Sequence, residues 1–183
     1  MHHLITLIRQ YSLVLIILVI WQFVVAVGIL PDYLLPSPWQ ILHALIDDAK
    51  LLAHHAKYTL ATAFIGTVIG LALSFVLSIL MDLSRNFRQS VYPLILLNQT
   101  IPTIAIAPLL VIWLGYGILP KVVLVVLSVF FPMTIALLDG YRSVSTDELN
   151  LFYAMKANIY QTYRHLKIPS AMGYFFTGLK VAL

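Results

Sequence analysis

Asn98, Gln99, Thr100 and Thr103 lie inside a run of residues, 90–120, that carries no charge. Amides and hydroxyls in such a run are costly in hydrocarbon unless they meet partners or a cavity. Pro102 and Pro108 fall in the same run, and each removes a backbone donor and frees a carbonyl that needs a new partner. Two chemistries fit equally: a kinked, amide-bearing helix that lines a solute pathway, or interhelical hydrogen bonding within a rigid bundle. Pro132 raises the same question in the next apolar run. Reactive chemistry is sparse elsewhere. His54 and His55 are adjacent, so they point to different helix faces, and no carboxylate stands at ligand spacing. His165, between Arg164 and Lys167, reads as part of a solvated basic surface, and Asp139 as a boundary residue. No Gly-Lys-Ser/Thr triplet occurs, so ATP hydrolysis is not expected in this chain. With no cysteine and no nucleophile and base constellation, no catalytic residue, metal site or cofactor is assigned.

The elements that must position these residues follow from composition. The 183 residues are 61% apolar and 10% charged, with a net charge of +4. A soluble domain is about half apolar and about a quarter charged, so an integral membrane protein is the indicated class. The 11 Lys and Arg are scattered, which is no nucleic-acid footprint. A bilayer core takes roughly 20 apolar helical residues, and runs 11–30, 58–81, 90–120 and 122–138 meet that length. A fifth apolar stretch begins after Pro169 and is too short to cross alone. The expected architecture is therefore all-α: four complete transmembrane helices plus the start of a fifth. The first run is longer than a signal-peptide core and no small-x-small site follows it before Pro31, so it reads as a retained helix. A cytoplasmic N-terminus puts Arg9, Arg85, Arg88, Arg142, Lys156, Arg164 and Lys167 inside. Only Lys50, Lys57 and Lys121 then lie outside, offset by Asp32, Asp47 and Asp48, which is the positive-inside bias.

Local signals refine this. Ser37 followed by Pro38 marks a helix start, and 39–53 mixes apolar and charged residues at the spacing of a short interfacial helix. Gly66 and Gly70, four apart with Ala63, Thr67, Ser74 and Ser78 nearby, form a helix-packing seam. The segment 140–169 is polar and basic, and Thr146-Asp147-Glu148 is placed to cap a helix through Leu149, Phe152, Tyr153 and Met155. Its apolar face fits lipid headgroups, the bundle itself or a soluble partner, and periodicity does not choose among them.

The stretch Gln-Thr-Ile-Pro-Thr-Ile-Ala-Ile-Ala-Pro-Leu-Leu-Val-Ile-Trp-Leu-Gly-Tyr-Gly-Ile-Leu-Pro-Lys from Gln99, with Phe130-Phe131-Pro132 and Leu35-Pro36-Ser37-Pro38, resembles the permease subunits of bacterial type I ATP-binding-cassette importers. The branch it resembles takes up nitrate, sulfonates, taurine and thiamine precursors. That family carries a cytoplasmic loop of the form Glu-Ala-Ala, three residues, Gly, nine residues, Ile, one residue, Leu-Pro. Anchored on Ile168-Pro169, the pattern puts Leu166 at the family's Ile, Lys156 at its Gly, and Asn150, Leu151 and Phe152 at Glu-Ala-Ala. The acid and the glycine are thus replaced, and a side chain at positive φ carries a steric cost.

The resemblance implies a single permease domain over 1–183, multi-pass in the bacterial cytoplasmic membrane, with 140–169 as the coupling loop. Asn150 to Tyr160 would form the coupling helix, including Tyr153, Ala154 and Ala157, and would dock an ATP-binding subunit. The other implied partners are a second permease copy, membrane lipid and an extracytoplasmic substrate-binding protein; nucleic acid is not one. Asn98, Gln99, Thr100, Pro102 and Thr103 would line the pathway. The implied cargo is a small polar solute: a hydroxymethylpyrimidine-type thiamine precursor or related heterocycle, or else a sulfonate, taurine or nitrate. Family members run through about six membrane helices of roughly 20 residues each. A chain ending at Leu183 is then expected to be truncated, and a non-transporting scaffold or regulatory subunit is the rival expectation.

Overall fold

A computed structural model describes residues 2–28, 31 and 33–182, with side chains from residue 11 onward. Every regular element among the described residues is a helix. They fall into two compact units, Met1–Tyr58 and Thr59–Leu183.

In the first unit, α1 (His2–Ala26) is followed by α2 (Pro38–Asp47). The Leu-Pro-Ser-Pro segment starts α2 through a reciprocal cap. The Gln40 amide donates to Ser37 Oγ at 3.2 Å, and the Ser37 amide donates to Gln40 Oε1 at 2.7 Å. The expected interfacial helix 39–53 is divided: α2 stops at Asp47, and Ala49 already opens α3 (Ala49–Leu83), which carries His54 and His55. The expected first span 11–30 ends earlier as helix, at Ala26, and residues 29 and 30 lie outside the described residues.

The second unit holds the rest of α3, then α4 (Arg85–Gln99), α5 (Thr103–Leu114), α6 (Leu119–Arg142), α7 (Thr146–Ala154) and α8 (Ile159–Thr162). A π-helical turn (Tyr163–Lys167) follows, running straight into α9 (Ile168–Ala182). By length and composition, α3 and α6 each suffice to cross a bilayer, while α4 and α5 do so only together and meet at 95°. The third expected run is therefore a broken helix. Pro102 supplies no amide and pushes Ile101 out of the helical region, and Thr100 Oγ1 closes α4 by donating to the Leu97 carbonyl at 2.7 Å. Pro108, by contrast, stays inside α5.

Helix α6 is the axis of this unit. Its Val129, Met133, Leu137 and Tyr141 are buried together with Tyr163 and Ala171. Small residues set the helix contacts. Along α3, Thr62, Gly66, Gly70, Ser74 and Ser78 recur every fourth position and are all buried. A Cβ at Gly66 would stand 2.6 Å from Val125 Cβ, and one at Gly70 3.0 Å from Val129 Cβ. Going up four residues in α3 goes up four in α6, so these two helices run parallel. Gly140 meets Ala171, and Gly178 meets Ala136 and Met133. That order is reversed, so α9 runs antiparallel to α6.

Candidate functional site

The parallel pair has a topological consequence. Between the level of Gly66 and the end of α3, and from the start of α6 to the level of Val125, the chain advances about 35 Å along one direction at helical rise. Residues 84–118 must return that distance, so the broken helix carries the chain back across. The polar residues of the third run sit at its break: Asn98 and Gln99 in the last turn of α4, Thr100 and Pro102 in the connection, and Thr103 opening α5. Asn98 and Thr103 are half-buried, whereas Gln99, Thr100 and Pro102 are exposed. Pro102 gives α5 no side-chain cap. The break thus gathers amide groups, two hydroxyls and the free backbone donors of a helix N-terminus, in a run that carries no charged side chain.

The segment after α6 differs from the expected single helix Asn150 to Tyr160. Ser145, rather than Thr146, caps α7, because its hydroxyl takes the Glu148 amide while Glu148 Oε2 accepts from the Ser145 amide at 2.9 Å and from its hydroxyl at 2.8 Å. Those hydrogen bonds hold the Glu148 carboxyl below the usual carboxylate range. The helix then stops at Ala154. Lys156 takes φ +55°, its amide reaches the Tyr153 carbonyl at 3.0 Å, and the Ala157 amide reaches back to Phe152 at 3.0 Å. This is the Schellman closure, whose left-handed position glycine ordinarily fills. Phe152 and Ala157, the two residues the closure brings together, are half-buried. A second capping box at Asn158 and Gln161 starts α8. Leu151, Tyr153, Met155, Ile159 and Tyr160 point outward and are more than half exposed. Asn150, Ala154 and Pro169 are also exposed, Ile168 is half-buried, and Leu166 is buried.

Sequence reasoning passed over Asp82. It lies one residue before the end of α3, with a side chain only 5% exposed, 2.5 Å from the Lys167 ammonium. Tyr163 donates to the same carboxylate oxygen at 2.6 Å. Burial, together with the hydrogen bond to Asp82 and its charge, pushes the Tyr163 phenol above its usual range, so it remains a donor. The signal was a lone acid closing an uncharged run, but its partner lies 85 residues on.

An all-helical membrane chain whose polar residues gather at a broken crossing, and whose last long helix leads into a capped and apolar-faced connecting segment, is in class a membrane-embedded transport component. The chain belongs to the family of binding-protein-dependent transport system inner membrane components, which matches residues 66–183. Among similar proteins, it is 41% identical to the formylaminopyrimidine transport permease protein ThiX of Halalkalibacterium halodurans, over 92% of this chain and 68% of that protein. It is 34% identical to a probable ABC transporter permease protein of Haemophilus influenzae, over 98% of this chain and 73% of that one. Identity to the taurine transport system permease protein TauC of Escherichia coli is 28%, over 92% and 64% respectively.

Proposed function

We propose that this chain is the permease subunit of an ATP-binding-cassette importer for an uncharged pyrimidine related to thiamine precursors. Family membership supports the transporter class, and the likeness to a formylaminopyrimidine permease supports the cargo. The observation that carries the cargo reading is the break itself. Its Asn98, Gln99, Thr100 and Thr103 offer both donors and acceptors in a run without charge, which suits the edge of a neutral heterocycle better than an anion. The uncapped N-terminus of α5 favours a second cargo that carries an anionic sulfonate group, such as the zwitterion taurine.

In this reading the N-terminus is cytoplasmic and the crossings are four, with α9 as the fifth begun. Two permease copies pair, and an extracytoplasmic binding protein delivers the cargo. The segment 145–162 docks an ATP-binding subunit, which hydrolyses the ATP. Its exposed Leu151, Tyr153, Met155, Ile159 and Tyr160 form an apolar face on a capped, rigid turn, as a docking element needs. The test is uptake of labelled formylaminopyrimidine and of labelled taurine by cells with and without the chain, with partners recovered from the same membranes. Saturable pyrimidine uptake and a recovered ATP-binding subunit are expected. Gln99→Leu should cut uptake at least fivefold with assembly intact. Taurine uptake instead would select the sulfonate cargo. Stable insertion with neither uptake nor an ATP-binding subunit would reduce the chain to a scaffold.

A further inference from the structure

Helices α8, the π-helical turn and α9 follow one another without a break, so residues 159–182 form one rod whose first turn is the end of the exposed apolar segment. The rod meets α3 through apolar contacts, such as the rings of Phe75 and Phe175 with centroids 5.9 Å apart. Apolar contacts are non-directional and tolerate sliding. The Asp82 site is different in kind. One carboxylate oxygen, nearly out of solvent, takes both the Lys167 ammonium and the Tyr163 hydroxyl. The ammonium also stands 5.2 Å from the centre of the Tyr163 ring, and that ring packs edge-on against buried Tyr141 of α6, 5.6 Å away. Such a pair has a single geometry, and sliding the rod by one residue would strand a buried charge. Both rod residues come from the π-helical turn, an irregularity that recurs at functional positions.

We propose that Asp82, Lys167 and Tyr163 are positioning residues that lock the register of the 159–182 rod against α3, so that displacement of the 145–162 segment moves α3 and the rod as one body. The proposal rests on that segment being the docking site of the ATP-binding subunit. Apolar packing alone would let the rod slip and dissipate the movement. The lock makes the end of α3, and with it the neighbouring start of α4, follow the segment.

The experiment reconstitutes the transporter with its co-purifying ATP-binding subunit and binding protein, and reads how far the binding protein stimulates ATP hydrolysis over the basal rate. Asp82→Asn and Lys167→Met should each retain the ATP-binding subunit and the basal rate but lose stimulation at least fivefold. Tyr163→Phe, which removes one oxygen and keeps the ring, should lose about twofold. Lys167→Arg and the exchange Asp82→Lys with Lys167→Asp should recover most of the stimulation. Unchanged stimulation in Asp82→Asn and Lys167→Met would overturn the lock. Loss of the ATP-binding subunit or of membrane insertion in those variants, with Tyr163→Phe equal to the parent, would also overturn it by making the pair merely structural. A parent chain that retains no ATP-binding subunit would instead remove the docking reading, and the lock with it.

Discussion

Lys156 concentrates the question of how a replaced residue is tolerated. Its backbone adopts the left-handed conformation that the Schellman closure of α7 requires, although it has a Cβ. That conformation costs a side-chain-bearing residue roughly 1–2 kcal/mol. The closure forms nonetheless, because two backbone hydrogen bonds and the capping boxes on either side fix the chain there. Lys156→Gly removes the steric cost and adds unfolded-state freedom of about 0.5–1 kcal/mol, so a net gain of up to about 1 kcal/mol is expected. Thermal unfolding in detergent checks it, and a loss of stability would mean that the Lys156 side chain contributes contacts outweighing its strain. The position was legible only through the family resemblance, since the turn falls where that pattern puts glycine. Asp82 was not, because a carboxylate at the end of an apolar run looks like any boundary residue until the fold brings Lys167 to it.

At the scale of elements, the all-helical class and the packing seam were readable, and the integrity of the helices was not. Apolar composition reports length but not direction, so 90–120 read as one run disturbed at Pro102 and Pro108 alike, whereas the chain turns through 95° at Pro102 and stays helical at Pro108. The same composition argument gave no reason for Pro102 to break the chain while Pro93, Pro108 and Pro132 stay within helices. The difference lies in the neighbours, since Thr100 can close α4 with its own hydroxyl just before the proline. The small-residue seam supports a quantitative comparison. Gly66→Ala places a Cβ 2.6 Å from Val125 Cβ with the Val122 carbonyl at 3.1 Å, so α3 and α6 must separate. Overpacking of that kind costs about 1–3 kcal/mol. Gly173 of α9 has nothing within 4 Å of an added Cβ, so Gly173→Ala should instead gain about 0.5–1 kcal/mol. Thermal melts of the two variants in one detergent should move in opposite directions. Equal shifts would mean that the α3 and α6 contact does not hold in the membrane.

For the molecule as a whole, the direction of α3 and α6 decides what the broken helix does. A bent pair of helices can be one interrupted crossing or a loop that enters and leaves by the same face. In the second case α3 and α6 would run antiparallel. The Gly66 to Val125 and Gly70 to Val129 contacts make them parallel, so α4 and α5 must end on the face opposite to where they begin. The absence of cysteine lets this be tested with single introduced thiols. Asn86 and Thr146 are exposed near the ends of α3 and α6, among Arg85, Arg88 and Arg142, and Tyr116 lies almost fully exposed, at 98%, between α5 and α6. The basic residues favour the cytoplasmic face for the first two sites. An impermeant thiol reagent applied to intact cells should therefore modify Tyr116→Cys and spare Asn86→Cys and Thr146→Cys until the membrane is opened. Modification of Asn86→Cys together with Tyr116→Cys, or of neither of them, would put 86 and 116 on one face. The parallel contact between α3 and α6 would then have to be abandoned, and with it the passage of the polar break through the bilayer on which its proposed role as a solute pathway depends.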